Sequence, residues 1–126
     1  MEKNNKHTRR LSVHQGDIVL VRFSSYTGRK ESDKRPGLVI SNDSILGTEK
    51  YIAVIPLYRK PSRSCRLEDI PLRMGECAGV KCDLYAQPLQ LVMVSCYQVE
   101  EHLGRIIIQG LLKRILDSVV HTMIAE

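Results

Sequence analysis

The sequence has no stretch of roughly 18 consecutive apolar residues, the length a helix needs to cross a bilayer, so a helical membrane span is excluded. Its start, MEKNNKHTRRLSVHQ, is basic but lacks the apolar centre of a signal peptide, and the chain reads as cytoplasmic. Cysteine is sparse. Cys65, Cys77, Cys82 and Cys96 form no C-x-x-C pair and have no companion histidine at finger spacing, which argues against zinc and leaves reduced thiols. No glycine loop of the P-loop type is present, nor two histidines spaced for one helix face, so neither phosphate cradling nor metal hydrolysis of those kinds has a basis here. His7, His14, His102 and His121 are scattered over a tail, a strand entrance, a turn and a helix surface, and read as solvated side chains. Internal repeats and low-complexity segments are also missing. No cofactor and no metal are expected.

What is there describes one domain of 126 residues, 43% hydrophobic and 26% charged, the balance of a soluble globular protein. The net charge of +5 fits a nucleic acid or an acidic protein as partner. Its distribution is more specific: basic residues cluster at 3–10, at 22–35 and in YRKPSRSCR, Tyr58 to Arg66. Residues 1–14 read as a flexible basic tail and 15–126 as the folded domain.

Periodicity sketches the domain. In GDIVLVRF, Asp17, Val19, Val21 and Phe23 alternate with Ile18, Leu20 and Arg22; both faces are largely apolar, which predicts a central strand. A polar loop over 24–35 leads to the strand GLVIS, and then to YIAVIPL, where Pro56 predicts an edge or a bulge. LEDIPL and Leu89–Ser95 supply two more short strands, with a turn at MGECAG between them. At the end, Leu111, Leu112, Ile115, Leu116, Val119, Val120, Met123 and Ile124 form one apolar stripe on a helix from Gly110 to about Ile124. The expected fold is therefore mainly β with a C-terminal helix: an antiparallel small barrel of five to seven short strands, with the helix packed on it.

The residue that invites chemistry is Arg35, in KRPGLVISND. A residue before proline avoids the helical region, so Pro36 ties Arg35 to an extended backbone at the strand mouth. There a guanidinium grips a phosphate bidentately, or makes a structural salt bridge with Asp17 or Asp33. Glu100-Glu101, a tempting carboxylate pair, reads as two solvated side chains in a turn.

The strings QGDIVLV, RPGLVISND and AVIPL, with a polar loop between the first two, resemble the opening of the MazF/PemK toxin endoribonucleases. GVKCDLYAQPLQLVMV resembles that family's stretch running into its Gln-Ile strand, with Gln90 at the glutamine, and HLGRI plus the amphipathic helix resembles its C-terminal end. The resemblance spans about Gln15 to Ile124. It implies an SH3-like barrel paired as a homodimer, a toxin that cuts single-stranded RNA without metal, and a cognate antitoxin that neutralises it through an acidic segment. It also implies a catalytic role for Arg35, which falls on the family's arginine before proline. The family's second catalytic residue, a Thr or Ser at the end of the third strand, is Tyr58 here, which keeps a hydroxyl for a proton or hydrogen bond and offers a ring for stacking; the family's loop Ser-Glu is Arg29-Lys30, and a later Ser is Leu84. A second hypothesis is a non-catalytic barrel module that grips RNA or an acidic partner through Arg22, Arg29, Lys30, Lys34, Arg59, Lys60 and Arg63. In both, the loops 24–35 and 58–66 line the groove.

Overall fold

Gly16 and Asp17 start the barrel. The turn from His14 to Asp17 is closed in both directions: the Asp17 N–H donates to the His14 carbonyl at 3.0 Å, and the His14 N–H donates to the Asp17 carboxylate at 2.8 Å. Gly16 lies at φ +96°, a conformation costly for any residue with a Cβ. Asp17 is buried, and His102 Nε2 lies 3.2 Å from its carboxylate. The Gly-Asp pair is therefore a hinge-and-lock at the first strand.

The computed structural model describes residues 10–23, 34–59 and 69–123. Eight strands lie within them: β1 (Asp17–Arg22), β2 (Lys34–Val39), β3 (Tyr51–Tyr58), β4 (Ile70–Leu72), β5 (Cys77–Ala78), β6 (Leu84–Ala86), β7 (Val92–Ser95) and β8 (Val99–Ile106), followed by the helix α1 (Gln109–Met123). The strands pair antiparallel in the order β4-β6-β3-β2-β1-β8-β5, with β7 also on β3, and form one nearly closed barrel sheet. No helix among the described residues is long and apolar enough to cross a membrane.

The expected class holds: mainly β, one C-terminal helix. β1 is central, between β2 and β8, and its alternation feeds two cores. Ile18 joins Leu38, Ile55, Leu57 and Leu84 under the helix residues Leu111 and Ile115, while Val19 and Val21 join Val39, Val54, Val94 and Val99. Full burial of one such aliphatic side chain contributes about 1.5–3 kcal/mol.

Four features differ from expectation. There are eight strands among the described residues, not five to seven: β5 occupies the turn MGECAG, β6 is a three-residue strand that the sequence reading did not mark, and β8 escapes period-two reading. The register of β8 against β1 shifts between Ile18 and Val19 and again between Leu20 and Val21, so its inward and outward residues do not alternate cleanly. Pro56 is not on an edge: it faces Gly37 in a strand flanked on both sides. The Ile40 N–H donates to the Ala53 carbonyl, so residues 53 and 55 bond toward β2 and residue 56 faces the other way. On that side β7 ends at Val54 and β6 begins at Leu57, and the N–H that proline lacks falls in the gap between two partners.

The other two differences concern the ends. Part of the expected tail is engaged with the barrel: Leu11 and Val13 pack against the second core, and Arg10 donates to the Glu49 carbonyl at 2.7 Å. Residues 1–9 lie outside the described residues. In α1, Leu111 and Ile115 are buried and Leu116 and Val119 pack beside them, but Val120 stays 56% exposed. The apolar stripe is thus wider than the surface the barrel offers it.

Candidate active site

The register of β2 builds the site. Val21 pairs with Arg35 and Gly37 with Pro56, and continuing the latter by two places in each strand sets Arg35 across from Tyr58. The side chains meet there: the Arg35 guanidinium carbon lies 5.4 Å from the centroid of the Tyr58 ring, a cation–π contact. Both residues are half-buried. Tyr58 pairs in turn with Tyr85 on β6, and Tyr85 with Pro71 on β4. The result is a cross-strand row with a cation at one end and two phenols beside it.

Arg35 is the second residue of its strand, since β2 starts at Lys34 rather than at Gly37. A strand interior fixes its backbone more firmly than a mouth would. Of the two salt bridges considered for it, Asp17 is committed to His14 and His102, and Asp33 lies outside the described residues.

The neighbours of this pair point the other way, as alternation requires. Pro36 and Leu57 join Ile18, Leu84 and Leu103 in lining a pocket of about 330 Å³. Val80, Lys81 and Cys82, from the segment between β5 and β6, line it as well, together with Arg59. Arg35 and Tyr58 thus sit back to back with a largely apolar pocket whose lining includes two cations.

The remaining basic residues separate. Arg22 and Lys34, opposite one another at the ends of β1 and β2, share one carboxylate, that of Glu100 on β8. Lys34 Nζ lies 2.9 Å from one carboxylate oxygen, and Arg22 Nη2 hydrogen-bonds the other. The hydrogen bond from Lys34 is the main reason the Glu100 carboxyl is held below the ordinary carboxylate range; partial burial opposes it, and Arg22 adds to it. Glu100 is therefore neither in a turn nor merely solvated, whereas Glu101 is exposed. Arg29, Lys30, Lys60 and Arg63 lie outside the described residues. Sequence reading missed Glu100, Tyr85 and Lys81 as site components. Lys81 and Tyr85 both lie in the GVKCDLYAQPLQLVMV stretch of the family resemblance, and Glu100 stood out only as half of a carboxylate pair.

This frame matches a known family over residues 14–121, described as the PemK-like, MazF-like toxin of type II toxin–antitoxin systems. The chain belongs to that family. Its departure at Tyr58 accordingly lies within a toxin barrel. Among solved structures it is similar to MazE–MazF from Deinococcus radiodurans, with a TM-score of 0.69 at 14% identity, covering 92% of this chain and 99% of that one. It is similar also to an endoribonuclease from a mycobacterial species, at TM-score 0.68 and 10% identity, covering 91% and 94%. A mycobacterial endoribonuclease in complex with its cognate antitoxin gives 0.66 at 10% identity, covering 89% and 93%. Identities this low bear on fold alone. No curated protein matches the chain.

Proposed function

We propose that this family member acts as a metal-independent endoribonuclease on single-stranded RNA, as a homodimer restrained by an antitoxin with an acidic segment. The observation that carries the reading is the meeting of Arg35 and Tyr58 across β2 and β3. In the reaction, the ribose 2′-oxygen attacks the adjacent phosphorus and gives up its proton to solvent water. The bond from phosphorus to the 5′-oxygen breaks, and that oxygen takes up a proton. Products are a 2′,3′-cyclic phosphate and a 5′-hydroxyl. Arg35 stabilises the charge that builds on the phosphoryl oxygens, a service worth several kcal/mol in a fixed geometry. The Tyr58 hydroxyl, one ring away, donates to the leaving oxygen, and the ring holds the guanidinium in place. Positive charge around the pair retains the backbone.

The test is a labelled single-stranded RNA pool in EDTA, with product ends identified. Arg35→Ala should lower cleavage by at least about 100-fold, near 3 kcal/mol of barrier, while RNA retention falls far less. Tyr58→Phe separates hydroxyl from ring: a large loss assigns proton donation, and no loss assigns the ring alone. Wild-type protein that retains RNA with salt dependence yet leaves a varied pool intact is a non-catalytic binding module instead. Light scattering that shows only monomers at tens of micromolar removes the homodimer.

A further inference from the structure

Glu100 sits between two cations. It lies on β8, and its carboxylate reaches Arg22 from β1 and Lys34 from β2, two residues paired at the ends of those strands. The two cations are open, with side chains 49% and 38% exposed, while the carboxylate between them is 22% exposed. The same edge is held from β8 a second time: Gln98 Nε2 donates to the Arg22 carbonyl at 2.7 Å. Lys34 immediately precedes Arg35 in β2, and by alternation the two side chains leave opposite faces of the strand. An oxyanion spanning a guanidinium and an ammonium on neighbouring strands has the chemistry of a backbone phosphate.

We infer that Arg22 and Lys34 form a phosphate subsite which Glu100 occupies in the unbound protein, so that an RNA phosphate enters by exchange with the Glu100 carboxylate. The inference rests on the RNA reading above. Glu100 then sets affinity and salt dependence without touching the reacting atoms. Its carboxyl, held below the ordinary range by both cations, stays ionised at neutral pH and keeps the subsite filled. Two of the basic residues that look available in the sequence are matched by an internal anion until substrate arrives.

The experiment measures binding of a short 2′-O-methyl RNA pool, which lacks the attacking hydroxyl, across a salt series. Each cation released to a phosphate steepens the dependence of log K on log salt by about 0.7 for a single strand. Glu100→Gln should steepen the slope by at least about that amount; if affinities meet at about 1 M salt, binding is about eightfold tighter at about 50 mM. Glu100→Gln combined with Arg22→Gln should return to the wild-type slope. Thermal melts of each variant establish that the fold is retained. If wild type binds and Glu100→Gln matches it in slope and affinity, the exchange does not occur. If Glu100→Gln binds more weakly at an unchanged slope, Glu100 is a strut and the subsite is refuted. Absence of any salt-dependent binding by wild type is a different signature and overturns the RNA reading itself.

Discussion

Gly37 is the tightest point next to the site. It follows Pro36 in β2 and faces the second core, where a Cβ built on it would stand 2.5 Å from Val54 Cγ1 and 3.3 Å from Val21 Cγ2. Val54 and Val21 are both fully buried, in strands held by partners on both sides, so neither side chain has empty space to swing into. Gly37→Ala therefore overpacks the core, and insertions of this kind cost about 1–3 kcal/mol. At about 2.1 cal/mol/K per residue, the unfolding entropy of the chain is about 0.26 kcal/mol/K, so Tm should fall by about 4–11 °C. Calorimetry on Gly37→Ala, Val54→Ala and the double variant tests the cause as well as the size. The added methyl and the one removed compete for the same volume, so the double variant should lose less than the two single losses together. A Gly37→Ala protein melting within about 1 °C of wild type, or two losses that simply add, refutes the reasoning.

Two further outcomes follow from burial and charge. Ile115, fully buried on the barrel side of α1, should cost about 2–5 kcal/mol as Ile115→Ala in urea titrations, although alanine is the better helix former; Val120→Ala, on the exposed side, should stay within about 0.5 kcal/mol. The carboxyl of Glu100 is depressed in the folded state, so its contribution is present above the unfolded carboxyl pKa and lost as pH falls through the folded value. Thermal melts of wild type and Glu100→Gln should accordingly differ at neutral pH and converge below the ordinary carboxylate range; a gap that persists in acid contradicts the ion-pair account.

What the sequence made legible was local. Asp17 to Arg22 and Tyr51 to Tyr58 alternate over long enough runs to be read as strands, and Leu111 to Val119 repeat at helical spacing. Pro36 announced the extended backbone of Arg35. What stayed hidden depends on register between distant segments. Glu100 meets Arg22 across 78 positions of sequence, and only the doubly shifted ladder between β1 and β8 brings them together. Similarly, nothing local says that Tyr58 faces Arg35; that follows from Gly37 facing Pro56. The Gly-Asp signature was visible at once, yet its work is to lock a turn with His14 and His102 rather than to do chemistry.

The gap at Pro56 divides β3 into two lengths with different loyalties. Tyr51 to Val54 is laced to β7, while Leu57 and Tyr58 are laced to β6, which with β4 forms a pair of three-residue strands. So short a flap opens at lower free energy than the sheet it borders. Native-state amide exchange should record this as a seam: slow exchange along β1, β2 and the first half of β3, and fast exchange through β4, β6 and the last residues before Arg59. Because Tyr58 and the Leu57 wall of the pocket lie on the fast side and Arg35 on the slow side, the barrel can breathe at its site while its frame stays closed.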